Sequence, residues 1–301
     1  MAAPPAEAAA AAESGAAGAG LASAPGLAAA RRFAERPQPD FSSNFAVRLE
    51  TGHCVADRVS VVCPTYPGRH RFHDSLYACF CAQTWPDKEL IILDTGGTPS
   101  ACFTCGPAAE DERVLYAHIG EYNLTLGHKR NQLIQLSTGE FVAHFDDDNL
   151  YAPEYVSVMV GQLRAAKAQL VSLSSGFAWS PEADVLSWHD EVRGRAETMV
   201  HRRAPLASAA FGHRDVGEEA AFLASSIAHD VVDAAGFFLH VRHGSNTSAY
   251  FECEGARRPG AGGEAVGEKV LGAGLRALLG NHPCAGGAPG GAPDRSGGPR
   301  G

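Results

Sequence analysis

Between Arg58 and Leu173 the chain alternates short apolar runs with stretches of helical period. Arg58 to Cys63, R-V-S-V-V-C, is β-branched and unbroken, which predicts a strand buried on both faces and closed by Pro64. Pro64 to Gly68 reads as a loop by its composition. Phe72 to Gln83 places Phe72, Leu76, Cys79 and Phe80 on one helical face. Lys88 to Leu93, K-E-L-I-I-L, predicts a second buried strand, ended by Asp94-Thr95-Gly96-Gly97. Val114 to Ala117 predicts a third strand, Leu126 to Ser137 a helix and Phe141 to Phe145 a fourth strand. Pro153 to Lys167 reads as a helix with Tyr155, Val158, Met159 and Leu163 inward, and Leu170 to Leu173 as a fifth strand. Further on, Phe237 to Val241 reads as a strand followed by a polar turn.

Strands alternating with helices predict an α/β fold with a mostly parallel sheet and right-handed crossovers. In such sheets ligands bind beyond the C-terminal ends of the strands. Three unusual loops fall there: Pro64-Thr65-Tyr66, Asp94-Thr95-Gly96, and Asp146-Asp147-Asp148-Asn149. The last presents three adjacent carboxylates, which repel one another unless a cation or solvent relieves them. A divalent metal carrying a substrate's phosphates would do so, whereas the plainer alternative is a solvated acidic turn.

Composition limits where this fold can lie. Residues 1–40 and 255–301 are dominated by Ala, Gly, Pro and Ser, with Arg in the second, and read as disordered segments around a domain at 41–254. The net charge of -9 lacks the basic footprint of a nucleic-acid binder. No apolar run reaches the roughly 18 residues of a membrane span, and no basic-then-apolar leader opens the chain, so a cytoplasmic location is expected. Cys79-x-Cys81 and Cys102-x-x-Cys105 have spacings that zinc sites use, but i and i+2 diverge on a helix, which favours structural thiols. G-x-G-x-x-G after the first strand, G-x-x-x-x-G-K-[ST] and G-x-S-x-G are all missing, which disfavours dinucleotide enzymes, P-loop NTPases and α/β-hydrolases.

The order of motifs resembles that of family 2 glycosyltransferases of the GT-A nucleotide-diphospho-sugar transferase fold. The resemblance rests on V-S-V-V-C-P-T-Y, then A-Q-T-W-P-D-K-E-L-I-I-L-D-T-G-G-T, then N-L-T-L-G-H-K-R-N-Q-L-I-Q-L-S-T-G-E-F-V-A-H-F-D-D-D-N. It implies a metal-dependent, inverting transferase that moves a sugar from a nucleotide-diphosphate donor, a UDP-sugar by preference, to an acceptor hydroxyl. The acceptor, whether carbohydrate, lipid or protein, is left open.

The resemblance also implies roles. Pro64, Thr65 and Tyr66 would border the base and ribose, and Asp94 would accept a hydrogen bond from uracil or ribose. Arg130, from the Lys129-Arg130-Asn131 segment, would reach the diphosphate. Asp146-x-Asp148 matches the DxD motif, with Asp148 as direct ligand of Mn²⁺ or Mg²⁺ and Asp146 near the ribose or the metal; Asp147 is expected to point away. His243, in H-G-S-N-T-S, is a candidate third metal contact. The family's general base is the Asp of an E-D pair, and this chain has Glu218-Glu219 in D-V-G-E-E-A-A-F-L. Glu219 in place of Asp moves the carboxylate by about 1.5 Å, so Glu218 competes for the role. Trp179 and Trp188 fall where an acceptor would bind, with core packing the simpler expectation.

Two rival functions remain on the sequence. A nucleotidyltransferase shares such folds, but its Gly-rich basic loop is here P-T-Y-P-G-R-H-R-F, with one glycine. A catalytically degenerate nucleotide-sugar-binding or interaction protein would tolerate Glu219 and Thr95 where the family has aspartates.

Overall fold

The structure, a computed structural model, describes residues 54–120, 124–183, 185–190, 195–204, 209–246, 265–266 and 269–285. Residues 1–40 and most of 255–301 lie outside the described residues, so the disorder expected at the two ends is not addressed.

The main sheet has the order β10-β6-β9-β4-β1-β2-β3. Its central strands are β1 (Val55–Thr65), β2 (Lys88–Asp94), β3 (Val114–His118) and β4 (Gly139–His144), all mutually parallel where they pair. β9 (Val200–Arg202) runs antiparallel between β4 and β6 (Leu170–Leu173), and β10 (Ala228–Val231) adds to β6 in parallel. The apolar runs are continuous because both faces are covered. Val61, Cys63, Ile92, Phe141 and Ala143 point into one core, and Val62, Ile91, Leu93, Leu115 and Val142 into the other. The first core takes α1 (His73–Ala82) and α4 (Tyr155–Ala165) through Leu76, Phe80, Tyr155, Met159 and Leu163. The second takes α3 (Leu126–Leu136) through Leu133, Ile134 and Leu136. A five-residue helix, α2 (Ala101–Cys105), lies between β2 and β3.

Pro64 does not end the first strand, which runs on to Thr65. The ladder to β4 stops at Val62, so Pro64 sits where β1 has a neighbour on one side only. A second sheet, β5-β11-β7-β8, combines β5 (Leu150–Tyr151), β7 (Gly176–Ser180), β8 (Val185–His189) and β11 (Phe238–Val241). Trp179 and Trp188 belong to this sheet and pack against the main core, so the packing reading holds for both. Cys79 is buried while Cys81 and Cys105 are exposed, and among the described residues no group of three or more His, Cys, Asp or Glu could hold a metal by itself. Among the same residues no helix is long and apolar enough to cross a membrane.

Beyond α5 (Ala220–Ala224), the described residues include a further helix, α6 (Ala273–Leu279), which packs on β5 and α1. It falls in the stretch expected to be disordered, and Leu271 and Leu275 are fully buried there. The composition of 255–301 as a whole conceals a short segment, L-G-A-G-L-R-A-L-L, with enough leucine to dock.

Candidate active site

The C-terminal ends of β1 and β4 open on a cavity of about 430 Å³. Pro64, Thr65 and Tyr66 form one wall, Asp146 to Asp148 the strand-end side, and Glu218 and Glu219 the wall opposite, with Lys129 and Arg130 between. Sequence-distant carboxylates therefore meet in one place.

The N-terminal half of α3 ties these walls together. Thr125 caps it by accepting from His128 N–H at 3.3 Å. Lys129 Nζ donates to the Thr65 carbonyl at 2.9 Å. Arg130, fully buried, donates to Asp146 Oδ1 at 3.0 Å and to Glu218 Oε1 at 3.2 Å. Asn131 grips the backbone of Phe211 from both sides, accepting at 2.8 Å and donating at 3.0 Å. Gly127 lies against Gly212, where a Cβ would come within 1.8 Å of the Gly212 carbonyl oxygen. The loop from 211 to 219 is thus fastened along the helix. Gly217 turns it with φ of 69°, a left-handed value that glycine adopts without strain.

The three aspartates have separate partners. Asp146 takes Arg130, and its N–H donates to Tyr151 Oη at 2.9 Å. Asp147 does not point away as expected. It accepts from Thr65 Oγ1 at 2.5 Å and lies 3.5 Å from Arg69 Nη1. Burial, reinforced by the Asp148 charge, pushes the Asp147 carboxyl well above the usual range. Burial also works to raise Asp148, but His243 and Arg69 outweigh it and hold that carboxyl well below the usual range. Asp148 Oδ2 accepts from Arg69 Nη1, from His243 at 2.9 Å and from Asn246 Nδ2 at 3.2 Å. The Ser245 N–H donates to His243 Nδ1 at 3.2 Å, so the ring presents Nε2–H to Asp148. His282, past α6, lies 3.2 Å from the Asp148 carbonyl through Nε2 and braces the same turn.

Glu218 and Glu219 differ in freedom. Glu218 is buried and held by Arg130, and burial raises its carboxyl although Arg130 opposes the shift. Glu219 is half-buried at the start of α5 and borders the same cavity. Asp94 is placed differently from expectation. It is fully buried, bonded to Tyr116 Oη at 2.5 Å and His70 Nε2 at 2.8 Å, and does not line the cavity. The turn Pro67–Phe72 folds over it, and Pro67 packs against Gly96. Its Oδ1 is buried without a partner.

Sequence reasoning missed three contributors. Arg69 and His70 come from that same turn, where the run R-H-R directly follows the P-T-Y loop. Glu197 lines the cavity 3.5 Å from Arg195, and burial pushes its carboxyl up to about 7. It stands just before the short β9, and no local pattern marks it.

Residues 60–201 match the sequence profile of glycosyl transferase family 2. The chain carries a glycosyl transferase family 2 domain. Two curated proteins are similar over part of this domain. Glycosyltransferase GlyA of Streptococcus pneumoniae is 25% identical over 117 residues, 38% of this chain and 16% of GlyA. The glycosyltransferase YibD of Escherichia coli is 29% identical over 107 residues, 34% of this chain and 30% of YibD. The matches thus span less than a third of either relative. Among solved structures, S. aureus TarS 1-349 in complex with UDP-GlcNAc superposes with a TM-score of 0.50 at 14% identity, over 63% of this chain and 60% of that one. That likeness shows the fold, the mostly parallel α/β arrangement of the GT-A transferases. The glycosyl transferase family 2 domain as matched contains Asp146 and Asp148 but stops before Glu218, Glu219 and His243.

Proposed function

We propose that the chain is a glycosyltransferase that takes a sugar from a nucleotide-diphosphate donor, a UDP-sugar in the first instance, and passes it with inversion to an acceptor hydroxyl. One observation carries this reading. The DxD carboxylates, two basic residues of α3 and the Glu218-Glu219 pair converge on one cavity at the carboxyl ends of the strands. The UDP-GlcNAc held by TarS supports a UDP-sugar.

The donor set suits Mn²⁺ or Mg²⁺. Asp146 and Asp148 supply carboxylate oxygens and His243 an imidazole beside Asp148, and these residues would hold the ion. Among the described residues no three such side chains hold a metal by themselves, so the donor's diphosphate would share in holding the ion. Bound there, the ion would neutralise the departing diphosphate as a Lewis acid.

The remaining work falls to side chains. Tyr66, 38% exposed between Arg69 and Lys129, offers its ring to the base. Lys129 and Arg130 give the cavity positive charge for the diphosphate. Glu219 accepts the acceptor's hydroxyl proton as that oxygen bonds to the anomeric carbon and the bond to the diphosphate breaks. Glu218 serves instead to hold Arg130. Buried free thiols such as Cys63 and Cys79 suit a reducing, cytoplasmic setting.

The test is release of UDP from UDP-sugars by the full chain, with and without Mn²⁺. Metal-dependent release that Asp148→Ala abolishes supports a transferase. Metal-dependent UDP binding with no release from any acceptor mixture favours the binding-only alternative, and no UDP binding refutes both.

A further inference from the structure

Arg69 is paired with Asp148, a carboxylate that the proposed function assigns to a metal. Its side chain is 9% exposed. Nη1 bonds Asp148 Oδ2, reaches Asp147 Oδ1 at 3.5 Å and lies 3.4 Å from His243 Nε2. Nε reaches Tyr66 Oη at 3.4 Å. Three donors, from Arg69, His243 and Asn246, converge on the single oxygen Oδ2.

We infer that Arg69 is the resident counter-cation of Asp147 and Asp148, and that it couples metal binding to diphosphate binding at the same site. The inference rests on the glycosyltransferase reading. Three buried or half-buried carboxylates in a row need compensation in the donor-free protein. Arg130 supplies it for Asp146, and Arg69 for the other two. A divalent ion and a guanidinium cannot share Asp148 Oδ2 without strong repulsion, so a bare ion meets an occupied ligand. The donor brings its own anion. A guanidinium matches two phosphate oxygens as well as it matches a carboxylate. Arg69 can therefore exchange Asp148 for the diphosphate while the ion takes Asp148. The turn that carries it supports such a change of partner. It is a six-residue 3₁₀ helix, Pro67–Phe72, tethered by His70 to Asp94 and by Arg71 to Ser245 Oγ at 2.9 Å. Metal and nucleotide should then bind weakly alone and tightly together, each raising the other's affinity by the same factor.

The experiment measures Mn²⁺ binding to the full chain by electron paramagnetic resonance of the free ion, with and without UDP, with no turnover involved. For the wild type, UDP should tighten Mn²⁺ binding by about tenfold or more. Arg69→Met removes the charge at similar length. It should bind Mn²⁺ alone about tenfold more tightly than wild type and lose most of the UDP effect. Arg69→Lys keeps the charge and should leave Mn²⁺ binding alone near the wild-type value, which separates charge from packing. Circular dichroism melts establish that each variant is folded, and Arg69→Lys still tests the coupling if Arg69→Met is not. Wild-type coupling that survives unchanged in Arg69→Met overturns this inference and leaves the glycosyltransferase reading standing. A wild type that binds no Mn²⁺–UDP at all overturns both.

Discussion

Replacing Arg130 by Met should destabilise the protein in a way that depends on pH. The side chain is fully buried and bridges Asp146 and Glu218 at 3.0 and 3.2 Å. Removing one partner of a buried ion pair costs about 3–5 kcal/mol, because the other charge is stranded. Here the two carboxylates do not count equally. The Asp146 side chain is 31% exposed and water can compensate it, whereas that of Glu218 is 5% exposed. The lower end of the range, about 3 kcal/mol near pH 8, is therefore expected. Glu218 is already raised in the folded protein by burial, and Arg130 is the main group opposing that rise. Losing Arg130 raises it further. A carboxyl raised on folding binds more protons folded than unfolded, so stability falls as pH climbs from about 4.3 through the folded value. The variant should lose most at pH 8 and much less at pH 5, where Glu218 holds its proton more often in the folded state. Each further unit of upward shift corresponds to about 1.4 kcal/mol of that difference. Urea unfolding followed by circular dichroism at both pH values measures it, for Arg130→Met, Glu218→Gln and the double variant. The double variant should recover part of the loss at pH 8, since the buried Glu218 charge is no longer stranded. Equal losses at the two pH values, or a double variant equal to the sum of the singles, would refute the bridge.

Three further outcomes are expected. Gly127→Ala should force the 211–219 loop away from α3, costing about 1–3 kcal/mol in thermal melts and lowering sugar transfer through displaced Glu219, with UDP affinity less affected. Glu219→Gln should reduce turnover by roughly 10²–10⁴-fold with UDP binding preserved in calorimetry, whereas Glu218→Gln should lose less turnover; the reverse order would exchange their roles. Tyr66→Ala should weaken UDP binding while Tyr66→Phe keeps it, a loss of roughly 0.5–1.5 kcal/mol by titration; an unchanged Ala variant would remove the ring from the base site.

The strands and helices that frame the site were legible because their signals are local. R-V-S-V-V-C and K-E-L-I-I-L are apolar on both faces, and the structure puts a separate core against each face. The four residues Asp146 to Asn149 announced a strand end rich in charge, and the cavity lies there. Second-sheet strands such as Gly176–Ser180 and Val185–His189 gave weak signals, since they are short and mix Ser, His and Trp with apolar residues. The helix at Ala273–Leu279 was hidden by the Gly- and Pro-rich composition around it.

What the sequence determined by itself was the order of elements and the kinds of group delivered to the strand ends. Periodicity and turn chemistry act between near neighbours, so they can be read from the string. What only the tertiary structure decided was the pairing of those groups. Arg130 and Glu218 are separated by 88 residues, and Arg69 and Asp148 by 79, yet each pair shares a buried hydrogen bond. Burial makes such pairings obligatory, because a charge removed from water needs a partner. Which partner it meets depends on how the loops fold over the sheet. That is why Asp94 was foreseen at the cavity wall and is found beneath the Pro67–Phe72 turn, and why Arg69 emerged only once that turn was in place.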